Sequence, residues 1–121
     1  MYEIHFYRDK KGREPVLDYL NQLKNKNDKN SRIKLNKIQD YIEYLSRDGL
    51  KIGEPYIKRL KGNIWELRPL RDRILFVAWE NNSFVLLHSF MKQTQKTPPE
   101  EIEKAVREYN DLVERSKNNE K

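Results

Sequence analysis

The residues of this sequence that could do chemistry are basic and aromatic side chains concentrated in residues 56–97. That segment carries eight basic and three acidic residues, whereas residues 98–121 carry five basic and seven acidic ones. Guanidinium and ammonium groups bind phosphate, and arginine offers two parallel N–H donors to phosphate oxygens. The concentration favours a polyanion such as nucleic acid as the partner. The net charge of +6, taken alone, would equally fit a protein that is basic by chance.

Other common catalytic groups are scarce. The chain has no cysteine, which excludes disulfides and thiolate metal sites, and its two histidines are His5 and His88. It contains no Gly-rich phosphate loop, no HExxH and no GxSxG. The acids of residues 56–97 are Glu66, Asp72 and Glu80, which gives poor support for a paired-carboxylate site. We therefore expect no metal site and no cofactor.

The N-terminal half predicts one strand and two helices. Residues 2–7 alternate with period two and contain aromatic and β-branched residues, which is typical of a strand. Pro15 followed by apolar residues at helical spacing predicts a first helix. An apolar stripe over residues 35–45 predicts a second helix that ends at Asp48-Gly49. The break between them, residues 25–30, is short, so we expect an antiparallel helical hairpin.

The second half predicts four short strands and a helix. The strands are residues 56–60, 64–70, 73–80 and 84–91, and the apolar runs in the last two favour central strands covered on both faces. A capping box, Thr97 with Glu100, predicts the start of the final helix. The apolar stripe of that helix is expected to pack on the sheet, and residues 116–121 are expected to form a frayed polar tail.

The predicted order is β-α-α-β-β-β-β-α, an α+β fold in which a helical hairpin packs on a small, mostly antiparallel sheet. A chain of 121 residues fits one domain, here residues 1–115. No apolar run reaches membrane-spanning length, and the first residues do not resemble a secretory signal. We therefore expect a cytoplasmic protein that does not contact membranes.

The predicted strands could bring cations together. In residues 64–70, Glu66 and Arg68 share one face, and an arginine inside an apolar strand requires a partner. If the strands are neighbours, four cations converge on a concave face: Lys58, Arg68, Arg73 and Lys92. Plainer interpretations stay open. Arg68 could pair with Glu66, Arg73 could be a turn charge, Lys92 and Lys96 could be solvated, and His88 could be a structural histidine with no local orienting partner.

Two stretches carry a resemblance to a known family. Residues 60–68, LKGNIWELR, with residues 73–76, RILF, resemble the LxGxxWELR…RxxF core of phage-derived HigB-like toxins. Residues 88–98, HSFMKQTQKTP, resemble that family's HxFxKKTxKTP segment, with Gln93 where a second lysine is common. The similarity spans about residues 2–115. These toxins belong to the RelE/ParE superfamily of type II toxin–antitoxin systems.

The resemblance implies a function. It implies an endoribonuclease that cleaves ribosome-bound messenger RNA and is inhibited by a helix-turn-helix antitoxin encoded nearby. The complex with the antitoxin would bind operator DNA and repress the operon. The expected fold of the family agrees with the predicted element order.

The residues permit RNA cleavage without a metal, with the substrate's 2′-OH as nucleophile. Arg68 and Arg73 would stabilise the charge on the phosphate, and Lys92, with Lys96 as second choice, would transfer the protons. Further RNA contacts are expected from a second set of residues: Tyr56, Lys58, Lys61, Arg71 and His88.

Three other functions are compatible with the sequence. A ParE-like inhibitor of DNA gyrase would use the same fold, because fold does not determine function. A non-catalytic RNA- or ribosome-binding protein would need the basic face but no particular lysine or arginine. A purely structural interaction domain would leave the cationic sheet unexplained.

Overall fold

The computed structural model describes residues 1–119, which form a five-stranded mixed sheet between two helical layers. The elements in chain order are β1 (Glu3–Phe6), α1 (Pro15–Lys24), α2 (Lys29–Asp48), a 3₁₀ turn (Gly49–Ile52), β2 (Ile57–Lys61), β3 (Ile64–Leu67), β4 (Asp72–Trp79), β5 (Ser83–Met91) and α3 (Pro99–Asn119). The predicted α+β class and element order are confirmed. Within residues 1–119, no helix has an apolar stretch long enough to cross a bilayer.

The sheet has the order β1-β5-β4-β3-β2. Strands β2 to β5 form an antiparallel meander, and β1 pairs with β5 in parallel. The three-residue connection between β4 and β5, residues 80–82, has positive φ at Asn81 and Asn82, a conformation that asparagine tolerates. Because β1 pairs only with residues 83–86 of β5, the C-terminal part of β5 extends beyond it.

The central strands are buried on both faces. On one face, Phe76 and Leu86 pack with Val16 of α1 and Ile38 of α2. On the other face, a second apolar cluster packs against α3 around Ala105. Leu75, Phe76, Leu86 and Leu87 are each 0% exposed, which explains the uninterrupted apolar runs of β4 and β5.

A β-bulge in β5 decides which way its last residues point. Leu75 pairs with His88, but Phe76 pairs with Leu86, so Leu87 is an extra residue on β5. An extra residue shifts the alternation of side chains by one position. His88 consequently faces α3, whereas a regular strand would direct it to the helical hairpin, on the face of Leu86.

Element ends differ from the sequence prediction in three places. β3 ends at Leu67 because Pro69 has no N–H to donate to a strand ladder, so Arg68 lies just beyond the strand. α3 begins at Pro99 and continues through Asn119, which places residues 116–119 in the helix and leaves 120–121 of the predicted tail outside the described residues. The hydroxyl of Thr97 bonds to Glu66 instead of capping α3.

Candidate functional site

The basic residues assemble around a buried carboxylate, that of Glu66. Its side chain is 2% exposed, and its Oε1 lies 3.6 Å from Arg68 Nε and 3.9 Å from Arg73 Nε. Its Oε2 accepts a hydrogen bond of 2.5 Å from the hydroxyl of Thr97. Removing a carboxylate from water is costly unless cations and donors compensate. Two arginines around one glutamate leave the group with a net positive charge. We give the name basic cluster to six residues: Glu66, Arg68, Arg73, Lys92, Lys96 and Thr97.

Arg73 is the inner arginine of the basic cluster. Its side chain is 8% exposed, and its Nη1 donates to the carbonyls of Leu70 (2.9 Å) and Asp72 (2.8 Å). Leu70 has a φ of 55°, the conformation at which its carbonyl meets Arg73. Burial lowers the pKa of the Arg73 guanidinium, while Glu66 opposes that shift and Arg68 adds to it. This burial corrects the prediction of direct phosphate contact: Arg73 holds Glu66 in place from beneath.

Arg68 is the outer arginine. Its side chain is 24% exposed, and besides Glu66 it faces the exposed carboxylate of Glu54, 3.8 Å from Nη1. The backbone N–H of Arg68 donates to the carbonyl of Tyr56 at 2.9 Å, which fixes the start of its side chain beside β2. A guanidinium held on one side by a buried carboxylate and open to solvent on the other can accept a phosphate.

The loop of residues 92–98 completes the basic cluster. Lys92 is joined to Arg71 twice: its N–H donates to the Arg71 carbonyl (2.8 Å), and its own carbonyl accepts from Arg71 Nη2 (3.2 Å). With Glu66 and Arg73 the loop encloses a cavity of about 10 Å³, room for roughly one water molecule. Lys92 is half-buried and Lys96 is exposed at this cavity. All four residues predicted to be catalytic therefore lie at one end of the sheet.

The structure divides the predicted RNA-binding residues. Lys58 pairs with Glu66 across β2 and β3 and is exposed, and Arg71 is exposed beside Lys92, so both border the basic cluster. The carbonyl of Tyr56 bonds to Arg68, but its ring turns to α2, where it packs edge-on against Tyr41 and Tyr44. Lys61 lies apart as well, at the β2–β3 turn at the other end of these strands.

His88 occupies an interior position. It is 1% exposed, its Nδ1 lies 2.5 Å from Glu108 Oε1, and its Nε2 lies 3.0 Å from Glu101 Oε1. These two contacts tie β5 to α3 and orient the ring through residues that are distant in sequence, which fits the interpretation of His88 as a structural histidine. A ring without an exposed surface cannot contact RNA, so the predicted RNA contact at His88 is corrected.

Sequence reasoning missed Asp72. It is 1% exposed, its Oδ1 accepts a 2.7 Å hydrogen bond from the Tyr19 hydroxyl, and Lys34 Nζ lies 3.8 Å from the same oxygen. Strand alternation turns Asp72 towards the hairpin and Arg73 towards α3. The sequence analysis leaves Asp72 in the connection between the strands at residues 64–70 and 73–80, whereas in the structure it is the first residue of β4.

Comparison with known proteins identifies one family. A family model described as "Phage derived protein Gp49-like (DUF891)" matches residues 18–110. The matched segment contains the whole basic cluster and leaves β1 outside. A comparison with curated proteins finds no match.

Proposed function

The chain belongs to the phage-derived Gp49-like family, and we propose that it is the toxin of a type II toxin–antitoxin pair, a HigB-like member of the RelE/ParE superfamily that cleaves ribosome-bound messenger RNA. The Gp49-like family is a toxin-like family of toxin–antitoxin systems, which supports the first part. One observation carries the second part. Arg68, Lys92 and Lys96 lie together on an excess of positive charge that the buried Glu66 and Arg73 hold in place.

The proposed reaction uses the RNA's own 2′-OH. The 2′-oxygen attacks the adjacent phosphorus while the bond from phosphorus to the 5′-oxygen breaks, giving a 2′,3′-cyclic phosphate and a 5′-OH. One proton leaves the 2′-OH and one is delivered to the 5′-oxygen. Preorganised cations stabilise the negative charge on the phosphate in the transition state. Arg68 is the candidate for that contact, because it is the arginine of the pair with exposed surface.

The lysines of the loop are the candidates for proton transfer. Lys92 is the first choice, because two hydrogen bonds with Arg71, one between the backbones and one from the Arg71 guanidinium to the Lys92 carbonyl, hold it at the cluster. Lys96 is the second choice and lies on the exposed part of the same loop. Arg73 acts as a positioning residue that fixes Glu66 and, through it, Arg68. No metal takes part in this scheme.

The proposed partner is a helix-turn-helix antitoxin. In the complex it neutralises the toxin, and the pair binds operator DNA to repress its own operon. Action on translating ribosomes requires the cytoplasm. Family membership supports this partner, and a short neighbouring gene for a helix-turn-helix protein is the observation that checks it.

The experiment compares substitutions inside and outside the basic cluster. Arg68→Ala should lower message cleavage on translating ribosomes about 100- to 1,000-fold, because it removes a phosphate-stabilising donor. Lys92→Ala should lower it about 100- to 10,000-fold, because it removes a proton-transfer group. Arg59→Ala and Lys61→Ala are matched controls, because both residues are exposed near the β2–β3 turn. Full cleavage by folded Arg68→Ala and Lys92→Ala would contradict the proposed site.

The same assay separates the other functions. DNA breaks that depend on gyrase, with intact message, would indicate a ParE-like inhibitor. Graded loss of ribosome binding across all basic variants, without any cleaved product, would indicate a non-catalytic binding protein.

A further inference from the structure

The loop of residues 92–98 is held at both of its ends. At the β5 end, Lys92 and Arg71 share two hydrogen bonds. At the other end α3 begins, and Glu101 in the first turn of α3 reaches back to β5: its Oε1 lies 3.0 Å from Nε2 of His88. The contact between His88 and Glu101 therefore fixes where α3 starts relative to β5.

The histidine of this contact is held by a second residue of the same helix. His88 is 1% exposed, and its Nδ1 lies 2.5 Å from Oε1 of Glu108. Glu101 and Glu108 are seven residues apart, about two helical turns, so both lie on the face of α3 that meets β5. An imidazole donates to two carboxylates when both ring nitrogens carry hydrogen. Two directional bonds from one ring thus fix the position of α3 along the strand as well as its distance from it.

This arrangement is an expensive way to hold a helix on a sheet. On this face the interface is built from apolar side chains, Val77, Leu87 and Ala105 among them. Well-packed apolar groups often stabilise such an interface at least as well as buried ionisable groups, which lose their hydration. Apolar contacts fix no particular register, however, whereas hydrogen bonds are directional. The bulge at Leu87 that turns His88 towards α3 is also a feature that is frequent next to active sites, where it redirects a side chain.

The segment between Thr97 and Glu101 links this contact to the basic cluster. The rings of Pro98 and Pro99 restrict φ at both positions, and the N–H of Glu101 donates to the carbonyl of Pro98 at 3.0 Å. The hydroxyl of Thr97, directly before the prolines, donates to Oε2 of Glu66. A shift of Glu101 would consequently move Thr97 as well, and with it the donor that satisfies the buried carboxylate.

We propose that His88 and Glu101 are positioning residues for RNA cleavage. Their contact holds the α3 end of the loop at the place where Thr97 meets Glu66. Glu66 in turn lies 3.6 Å from Nε of Arg68, the residue assigned to the phosphate. The buried histidine does not touch the RNA, and its contact acts on the rate through these intermediate side chains. This proposal rests on the proposed function.

The experiment varies Glu101, because replacing the buried ring of His88 would leave Glu108 unpaired inside the protein. The side chain of Glu101 is 28% exposed, so its loss disturbs the interior less. Glu101→Ala removes the contact. Glu101→Gln retains it, because an amide can either donate to Nε2 or accept from it. Glu103→Ala, at an exposed position of the same helix, is the matched control.

Message cleavage on translating ribosomes is measured for these three variants. Glu101→Ala should lower kcat by up to about 100-fold, the cost of a misplacement of about 1 Å. KM should change little, because the cations that attract the RNA are still present. Glu101→Gln should keep most of the activity, and Glu103→Ala should keep all of it. An unchanged kcat in folded Glu101→Ala, or an equal loss in Glu101→Gln, overturns the proposal.

A double variant tests whether Glu101 acts through Thr97. Thr97→Val keeps the shape of the side chain and removes the hydroxyl that bonds to Glu66. If the contact serves to place that hydroxyl, the double variant should lose clearly less activity than the product of the two single losses. Losses that simply multiply would show that Glu101 acts independently of Thr97, and they overturn the proposal.

NMR on the free chain separates this proposal from the proposed function. The backbone amide signals of Lys96 and Thr97 should move in Glu101→Ala and stay in place in Glu101→Gln. Signals that stay in place in Glu101→Ala overturn the proposal even if cleavage falls. A wild-type chain that leaves message intact overturns the nuclease, and the amide signals then decide alone whether the contact positions the loop.

Discussion

Glu66→Gln should destabilise the fold by about 3 kcal/mol, because it leaves Arg73 buried without its counter-charge. Glutamine has nearly the same shape, and its amide oxygen can still accept from Thr97, so the change removes chiefly the charge. Arg68 keeps Glu54 and solvent as partners, whereas Arg73 is 8% exposed and keeps only the carbonyls of Leu70 and Asp72.

The magnitude follows from the distances. At the 3.6 and 3.9 Å separations of Glu66 from Arg68 and Arg73, Coulomb attraction at an effective dielectric constant of 20 is about 4 kcal/mol for each pair. Desolvation offsets much of that attraction, and removing one partner of a buried pair costs about 3 to 5 kcal/mol. We expect a loss of about 3 kcal/mol, the lower end of this range. The reason is that Arg68 is 24% exposed, so water screens its attraction to Glu66.

Urea denaturation at pH 7 measures this loss, and two variants check its cause. Glu54→Gln removes an ion pair with Arg68 whose carboxylate is 72% exposed, so it should cost less than about 1 kcal/mol. Adding Arg73→Met to Glu66→Gln removes the guanidinium that has lost its counter-charge. The loss of unfolding free energy in the double variant should therefore be about 2 kcal/mol smaller than the sum of the losses in the two single variants. Equal costs for Glu66→Gln and Glu54→Gln, or additive losses in the double variant, would refute the reasoning.

Two further predictions concern residues outside the basic cluster. The hydrogen bond from Tyr7 is the main cause that holds the pKa of Asp111 below its ordinary value. The stabilisation of the fold by this bond is therefore complete above about pH 4, and it is lost as the pH falls through the pKa of Asp111 in the folded protein. The urea midpoints of wild type and Tyr7→Phe should therefore converge below about pH 4, and a constant difference would refute the assignment. Gly49→Ala should cost about 1 to 3 kcal/mol more than Gly62→Ala in urea titrations. Both glycines have positive φ, but a Cβ at Gly49 would lie 2.6 Å from the Tyr2 ring, whereas a Cβ at Gly62 would meet nothing within 4 Å. Equal losses of stability in the two variants would contradict the role of this contact.

The sequence predicted the elements well because local rules decide them. The apolar runs of β4 and β5 required cover on both faces, and the hairpin and α3 supply it. Gly49 ends α2 with a φ of 67°, as the Asp48-Gly49 pair indicated. α2 begins at Lys29 because the side chain of Asp28 accepts from the N–H of Ser31.

The errors came from single residues whose effect is not periodic. The extra residue Leu87 turns His88 towards α3, and no alternation pattern announces a bulge. Thr97 has the sequence signature of an N-cap, but the buried Glu66 takes its hydroxyl, because a carboxylate inside the protein needs a donor more than an exposed helix end does.

The candidate site was predicted in membership but not in arrangement. Sequence reasoning brought Lys58, Arg68, Arg73 and Lys92 to one concave face, and the structure places these four near one another, with Lys96, at one end of the sheet. It could not assign which arginine is buried, since that depends on the turn after Pro69 and on the loop of residues 92–98. The difference in exposure separates the proposed roles, because the partly exposed Arg68 can contact the phosphate, whereas the buried Arg73 positions Glu66.

The central claim is that this chain cuts messenger RNA with a basic cluster and the RNA's own 2′-OH. The most direct measurement adds the purified chain to a translation reaction assembled from purified components and analyses the ends of the message. The account predicts cuts within the translated region that bear a 2′,3′-cyclic phosphate and a 5′-OH, and that are absent with Arg68→Ala. Message that remains intact, or cuts that carry a 5′-phosphate, would contradict it.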